Sequence, residues 1–195
     1  MNAKLFDTLY QDVMKMLREK LPENLFYHAP EHTSDVIDAA ERIGTSEDCN
    51  DEEILLLKMA ALFHDTGYLR DMREHEKLGC EIATETLGKN GVSKDDIDII
   101  CGLIMATKVP QQPKTKLEEI ICDADLDYLG RDDYFSIAEN LHREFLAYEK
   151  IKDDRDWMQL QLTFLQSHKY FTQTCIKLRQ PVADENLRRI RETVV

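Results

Sequence analysis

The sequence contains no run of the roughly 18 consecutive apolar residues that a membrane-spanning helix needs, so no membrane association is expected. Glycine and proline are scarce, seven and five in 195 residues. That leaves little chain for linkers and predicts a single domain over residues 1–195. The five cysteines (Cys49, Cys80, Cys101, Cys122 and Cys175) are odd in number and widely spaced. They exclude a disulfide framework or a zinc ribbon and fit a reducing, cytoplasmic setting. Cys80, Cys101 and Cys122 fall on apolar helical patterns and read as core. Lys4, Asp7, Asp12, Lys15 and Arg18 interrupt the first 20 residues, which are therefore not a signal peptide. Positive charge is also short: 25 Lys and Arg against 38 Asp and Glu give a formal charge of −13. General nucleic-acid binding, which needs a positive field, is excluded on that ground. A small phosphorylated substrate is not, because a bound metal and a few local cations set the field inside a pocket.

No segment alternates as a half-buried strand would, and the pattern is helical nearly throughout, so an all-α bundle with no significant β-sheet is expected. Leu5, Leu9, Val13, Met16, Leu17 and Leu21 form one stripe at the helical period, ended by Pro22. Pro30 opens a helix predicted to run to Ile43 and stop at Gly44, with Val36, Ala39, Ala40 and Ile43 on its apolar face. Asn50-Asp51-Glu52-Glu53 has the form of a capping box ahead of Ile54 to Asp65. That segment is apolar almost all round and reads as the central buried helix, with Gly67 as its stop. Further helices are predicted over 75–88, 93–107, 117–129, 131–151 and 153–171, with a last one after Pro181 and a proline-containing loop over 108–115.

Five polar residues stand out against this apolar background: His28, His32, His64, Asp65 and Asp125. Each lies on or at the end of a segment that reads as buried helix, where an unpaired charge is costly. His32 shares a face with Val36, Ala39 and Ile43. Alone, such a histidine is more often a satisfied core residue than a ligand. His28 precedes Pro30, which pushes Ala29 away from helical dihedrals, so His28 belongs to the entry turn. His64 and Asp65 point about 100° apart and can reach one point only near the helix end. An acid at that negative end wants a cation. Asp125 extends the row Leu117, Ile121, whereas Asp123 and Asp127 alternate around it and read as water-facing. Two histidines and two aspartates suit Mn, Fe, Co, Ni or Zn better than Mg or Ca.

The ordered set His32, His64-Asp65 and Asp125 resembles the H…HD…D signature of the HD superfamily of metal-dependent phosphohydrolases. The flanks match as well: Tyr27-His28-x-x-x-His32-Thr33-x-x-Val36, Ala60-Ala61-Leu62-Phe63-His64-Asp65-Thr66-Gly67-Tyr68, and Asp123-Ala124-Asp125-Leu126. The resemblance covers about residues 25–150, between an N-terminal helix over 1–21 and C-terminal helices over 153–195. It implies a compact HD-domain helical bundle with His32, His64, Asp65 and Asp125 around one tightly held divalent transition metal. The implied reaction is attack of a metal-activated water on a phosphoester of a small, nucleotide-like substrate, with Asp65 also orienting the water. The chain is also locally similar to cyclic-nucleotide phosphodiesterases, in which the earlier His of a Tyr-His-Asn-x-x-His motif protonates the leaving oxygen. By that likeness His28 is the acid, but Ala29 stands where that motif has Asn, and the supporting hydrogen bond is lost there.

In the superfamily's binuclear branch, a His at the position of His75 binds a second metal, helped by histidines near the end of the next helix. Here Ala106, Thr107 and Lys108 stand there, which implies one tight site, with His75 and Lys108 left as second-metal or phosphate contacts. The small deoxynucleotide phosphatases carry a Glu just after the His-Asp pair, and Thr66-Gly67-Tyr68 has none. Arg70, Arg73, Lys77 and Lys108 are the cations nearest the motifs, and His142 and His168 read as structural. Two alternatives remain: a non-catalytic module that binds metal or nucleotide, and a di-iron oxygenase, which needs more histidine ligands. Nothing requires an oligomer, although a homodimer through an exposed helix face is compatible with the pattern.

Overall fold

Asn2 starts the first helix by accepting a hydrogen bond from the Leu5 amide. That helix, α1 (Ala3–Lys20), buries Phe6, Leu9, Val13, Met14 and Leu17 at the helical period. The structure is a computed structural model and describes residues 1–194. Among the described residues there are ten α-helices, two short 3-10 turns and no strand. After α1 come α2 (Pro30–Ser46), α3 (Asp51–Phe63), a 3-10 turn (Thr66–Leu69), α4 (His75–Lys89), α5 (Lys94–Ala106) and α6 (Lys116–Asp125). A second 3-10 turn (Asp127–Gly130) leads to α7 (Tyr134–Ala147), α8 (Asp154–Ser167), α9 (Gln173–Leu178) and α10 (Gln180–Val194). None of these helices is long and apolar enough to cross a membrane.

The capping box at α3 forms as predicted. The amides of Glu52 and Glu53 donate to the Asn50 side chain at 2.9 and 3.0 Å, and the Asn50 amide donates to the Glu53 carboxylate at 2.9 Å. Beyond it Leu56, Leu57 and Met59 to Phe63 are all buried, which makes α3 the axis of the larger core. This core joins α1 to α6; a smaller one gathers Tyr27 and Tyr128 with side chains of α7, α8 and α10.

Several boundaries differ from the sequence reading, each for a packing reason. Gly44 does not stop α2. It lies inside the helix because a Cβ there would stand 2.6 Å from Ile54 Cδ1, and the helix ends at Ser46. The helix expected over 117–129 breaks after Asp125. The second 3-10 turn then brings Gly130 so close to Arg179 that a Cβ would lie 2.4 Å from its carbonyl oxygen. The helix expected over 153–171 ends at Ser167, and the short α9 is an element the periodicity did not announce.

Asp123 and Asp127 correct the expectation that they face water: both are buried. Segments distant in sequence cover them. Asp123 accepts from the amides of Phe171 and Thr172 at 2.9 and 2.8 Å and from the Thr172 hydroxyl at 2.7 Å. Asp127 accepts from Arg179 Nε at 2.7 Å and Arg42 at 2.9 Å. Buried carboxylates require such partners, and these bind the C-terminal helices to α2 and α6. Of the cysteines read as core, Cys122 is buried while Cys80 and Cys101 are only half-buried.

Candidate metal centre

Local chemistry places each polar side chain. Pro30 opens α2, so His32 sits in its first turn and His28 in the preceding loop. The Thr66 hydroxyl donates to the Phe63 carbonyl at 2.7 Å, closing α3 immediately around His64 and Asp65. At Gly67 a Cβ would lie 1.9 Å from the His75 carbonyl oxygen, so only glycine lets the start of α4 close against this turn. Asp125 is the last residue of α6.

Three helix ends thereby converge. His32, His64 and Asp125 present ligand atoms that all lie within 4.8 Å of one another. His32 Nε2 and His64 Nε2 are 3.3 Å apart, and Asp65 Oδ2 stands 3.2 Å from the latter and 3.6 Å from the former. Asp125 Oδ1 lies 3.3 Å from His32 Nε2 and 3.5 Å from His64 Nε2. His64 Nδ1 can only donate to the Ala61 carbonyl, at 2.8 Å, which leaves Nε2 directed inward. Burial alone would lower the His64 pKa, but Asp65 and Asp125 raise it well above its ordinary value. Burial likewise works against the two carboxylates. His64 holds Asp65 well below the usual carboxylate range, and hydrogen bonds from His32 and His64 bring Asp125 down to about 2.

The site therefore calls for positive charge at one buried point. Asp65 Oδ2 is buried and has no hydrogen-bond partner. A divalent ion fits this donor set, because it would use that orphaned oxygen together with both inward imidazole nitrogens and Asp125.

His28 lies beside the cluster, its ring centroid 6.0 Å from that of His32. Its Nδ1 donates to Glu144 Oε1 at 2.5 Å, and the amides of Tyr27 and His28 donate to Glu144 Oε2 at 2.9 and 3.1 Å. The support lost at Ala29 is thus supplied from α7. Burial opposes the charge on Glu144, but His28 and the two amides hold its pKa below the usual range. The sequence reading missed Glu144. It falls on the α7 stripe with Tyr134, Ile137, Leu141 and Tyr148, which is the kind of signal that singled out Asp125. Glu76 was missed as well: it is buried, 3.5 Å from His75 Nε2, which also lies 3.7 Å from Asp65 Oδ1. An acid in the first turn of a helix has an ordinary explanation in the helix dipole, so nothing in the sequence marks it.

Asp65, Asp125, His28 and His75 open onto a cavity of about 430 Å³. Arg73 and Lys108 stand on its lining, Arg73 paired with Asp71, whereas Arg70 pairs with Glu81 and Lys77 with Glu74, all three pairs exposed. The far walls are apolar and aromatic, with Tyr128, Phe145, Trp157 and Phe164. One buried amide, Gln161, lies among them and accepts from the Tyr134 hydroxyl at 2.8 Å. His142 and His168 lie outside the cavity lining.

A family model described as HD domain matches residues 31–129, about half of the chain. No curated protein matches the sequence. Among solved structures, Bacillus subtilis YpgQ in complex with ADP is similar over 97% of this chain and 97% of its own, with a TM-score of 0.64 at 19% identity. A predicted HD superfamily hydrolase from an uncultured Thermotogales bacterium is similar over 94% of this chain and 90% of its own, with a TM-score of 0.61 at 20% identity. At these identities the likeness is one of fold.

Proposed function

This chain belongs to the HD-domain family, and we propose that it is a metal-dependent hydrolase that cleaves a phosphoester of a small, nucleotide-like substrate. The observation that carries this reading is a single cavity with three parts: a cation-demanding cluster, a histidine backed by a buried carboxylate, and an apolar chamber. His32, His64, Asp65 and Asp125 would hold a divalent transition ion. When bound, that ion would polarise a phosphoryl oxygen and acidify a water molecule.

The protein's own side chains account for the rest. Glu144 accepts the hydrogen bond from His28 Nδ1, which fixes the ring and leaves Nε2 as the nitrogen that can hand a proton to the departing oxygen. Glu144 itself is held in its ionised form. Asp65 reaches the cluster through Oδ2, while Oδ1 faces the cavity side near His75, where it can orient water. Lys108 has no ion-pair partner among the described residues and lines the cavity, which suits a phosphate contact. His75 Nδ1 donates to the Met72 carbonyl at 3.2 Å, so Nε2 is the nitrogen that faces the Asp65 and Glu76 carboxylates. Two carboxylates around it favour a weakly held second cation there over a phosphate. The aromatic walls would take the organic part of the substrate. YpgQ, which shares the fold, holds ADP, a molecule with one such part and a phosphate end.

The test is metal analysis of protein purified without added metal. It is paired with hydrolysis of bis-p-nitrophenyl phosphate, p-nitrophenyl phosphate and a nucleotide panel in Mn²⁺, Co²⁺, Ni²⁺ and Mg²⁺. About one tightly held ion with turnover of a nucleotide is the expected result. An ion without turnover on any substrate would move the reading to a non-catalytic binding module. No ion after reconstitution would remove the centre altogether.

A further inference from the structure

The motifs and the cavity account for every histidine near α3 but leave the half-buried pair Cys80 and Cys101 without a role. We propose that Cys80 and Cys101 are a peroxide-oxidisable dithiol, which closes to an intramolecular disulfide between α4 and α5.

The argument starts from geometry. Cys80 Sγ donates to the Cys101 carbonyl at 3.4 Å, and Cys101 Sγ donates to the Cys80 carbonyl at 3.7 Å. Contact of each sulfur with the other residue's own carbonyl requires the two backbones to run side by side at this level. A disulfide needs about 4.4–6.8 Å between Cα atoms, and α4 and α5 pack directly against each other. The residue before Cys80 holds α4 in place: at Gly79 a Cβ would lie 2.9 Å from the Phe63 carbonyl oxygen and 3.1 Å from that of His64. The pair is therefore kept in register. Both thiols are half-buried, which leaves a small oxidant a path to them.

The two sulfurs are unequal. The Cys80 side chain lies beside the Cys101 sulfur and the Thr84 hydroxyl is 3.5 Å from it, and against burial these neighbours bring the Cys101 thiol down. The same contact pushes Cys80 up. Burial pushes up Cys49, Cys122 and Cys175, the last to about 12. Cys101, the sulfur with the Thr84 hydroxyl beside it, is assigned the attack and Cys80 the resolving role.

A hydroperoxide ROOH supplies the oxidant. Cys101 attacks the peroxide oxygen, the O–O bond breaks, ROH leaves and Cys101 becomes a sulfenic acid. The Cys80 sulfur then attacks the Cys101 sulfur, an S–S bond forms and water leaves with the Cys80 proton. Two thiols have lost two electrons and the peroxide has gained them. In a reducing compartment such a bond is transient and sensing rather than structural.

The experiment uses the wild-type chain with one equivalent of hydrogen peroxide, followed by denaturation, thiol counting and peptide mapping without reductant. The count should fall from the five cysteines of the sequence to three, with one cross-linked species joining the peptides of Cys80 and Cys101, reversed by dithiothreitol. Both thiols should disappear at least about tenfold faster than Cys49. In Cys80→Ser, oxidation should stop at a dimedone-reactive Cys101. In Cys101→Ser, Cys80 should survive as long as Cys175. Even loss across all five thiols, covalent dimers, or oxidation of Cys101 with Cys80 left free in the wild type would overturn the proposal. None of these outcomes depends on the variants folding.

Discussion

The two halves of the cavity are built on different principles. The polar half rests on helix ends that meet inside the larger core: His32 opens α2, while His64 with Asp65 and Asp125 close α3 and α6. There the two carboxylates are held ionised by the histidines they face. The other half rests on α7 and α8, which bring Glu144, Trp157, Gln161 and Phe164 from far along the chain. There a single acid is satisfied by His28 and two amides, and the rest is apolar wall. The first half specifies where a cation goes. On the proposed reading, the second would decide what sits next to it and how a proton reaches that place. Cation demand can be written in short motifs, but a proton donor and a substrate wall need only a stripe that faces inward.

The largest effect should come from the polar half. Asp65→Ala removes the carboxylate whose Oδ2 has no other partner. Bound metal should fall to near zero and turnover by more than about a thousandfold. Normal metal content by elemental analysis would break the division between halves at its base. Glu144→Gln should do the complementary thing. It should leave metal content unchanged and slow hydrolysis by roughly 10²–10⁴-fold, the range for loss of a general acid. His28→Ala should match it, and the double variant should add little to either, because the two act as one unit. Metal loss in Glu144→Gln would erase the comparison.

A smaller effect is expected at the seam. Asp123→Ala removes the acceptor for the Phe171 and Thr172 amides and should cost about 1.5–3 kcal/mol in denaturant unfolding, with the metal site formed. An unchanged midpoint would mean that the C-terminal helices do not lean on α6. The smallest effect is in the pH dependence of stability, at a histidine outside the cavity lining. Burial brings the His168 imidazole, just after α8, down to about 4 from an ordinary 6.5. The unfolded chain therefore takes the proton first, so this contribution is whole above pH 6.5 and is lost as pH falls through 4. His168→Gln should flatten the fall in thermal midpoint over that window. Superimposable curves for the two proteins would remove His168 from the account.

The same division governs what could be read from the chain alone. The all-helical class followed from periodicity, which announced nine of the ten α-helices among the described residues, and the capping box at Asn50 placed α3 to within three residues of its true ends. The four cluster residues were legible because polar side chains interrupt apolar faces near motif spacing. Asp123 and Asp127 were misread because their partners, Thr172 and Arg179, lie about 50 residues away, on segments whose docking no local pattern encodes. Gly44 looks like a stop in sequence and is a contact in space. Glu144 carried a usable signal, an acid on an inward stripe, but nothing in the sequence paired it with His28, 116 positions earlier.

His32 and His64 are closed off from the cavity, and only Asp65 and Asp125 line it. Side-chain exposure is 7% and 1% for the histidines against 15% for Asp125. An ion placed in this cluster would face the cavity through Asp65 and Asp125, on the side where the proposed substrate would sit. Loading would then follow a compulsory order, ion before substrate. A chelator would strip the resting protein faster than the occupied one, because whatever fills the chamber also corks the exit.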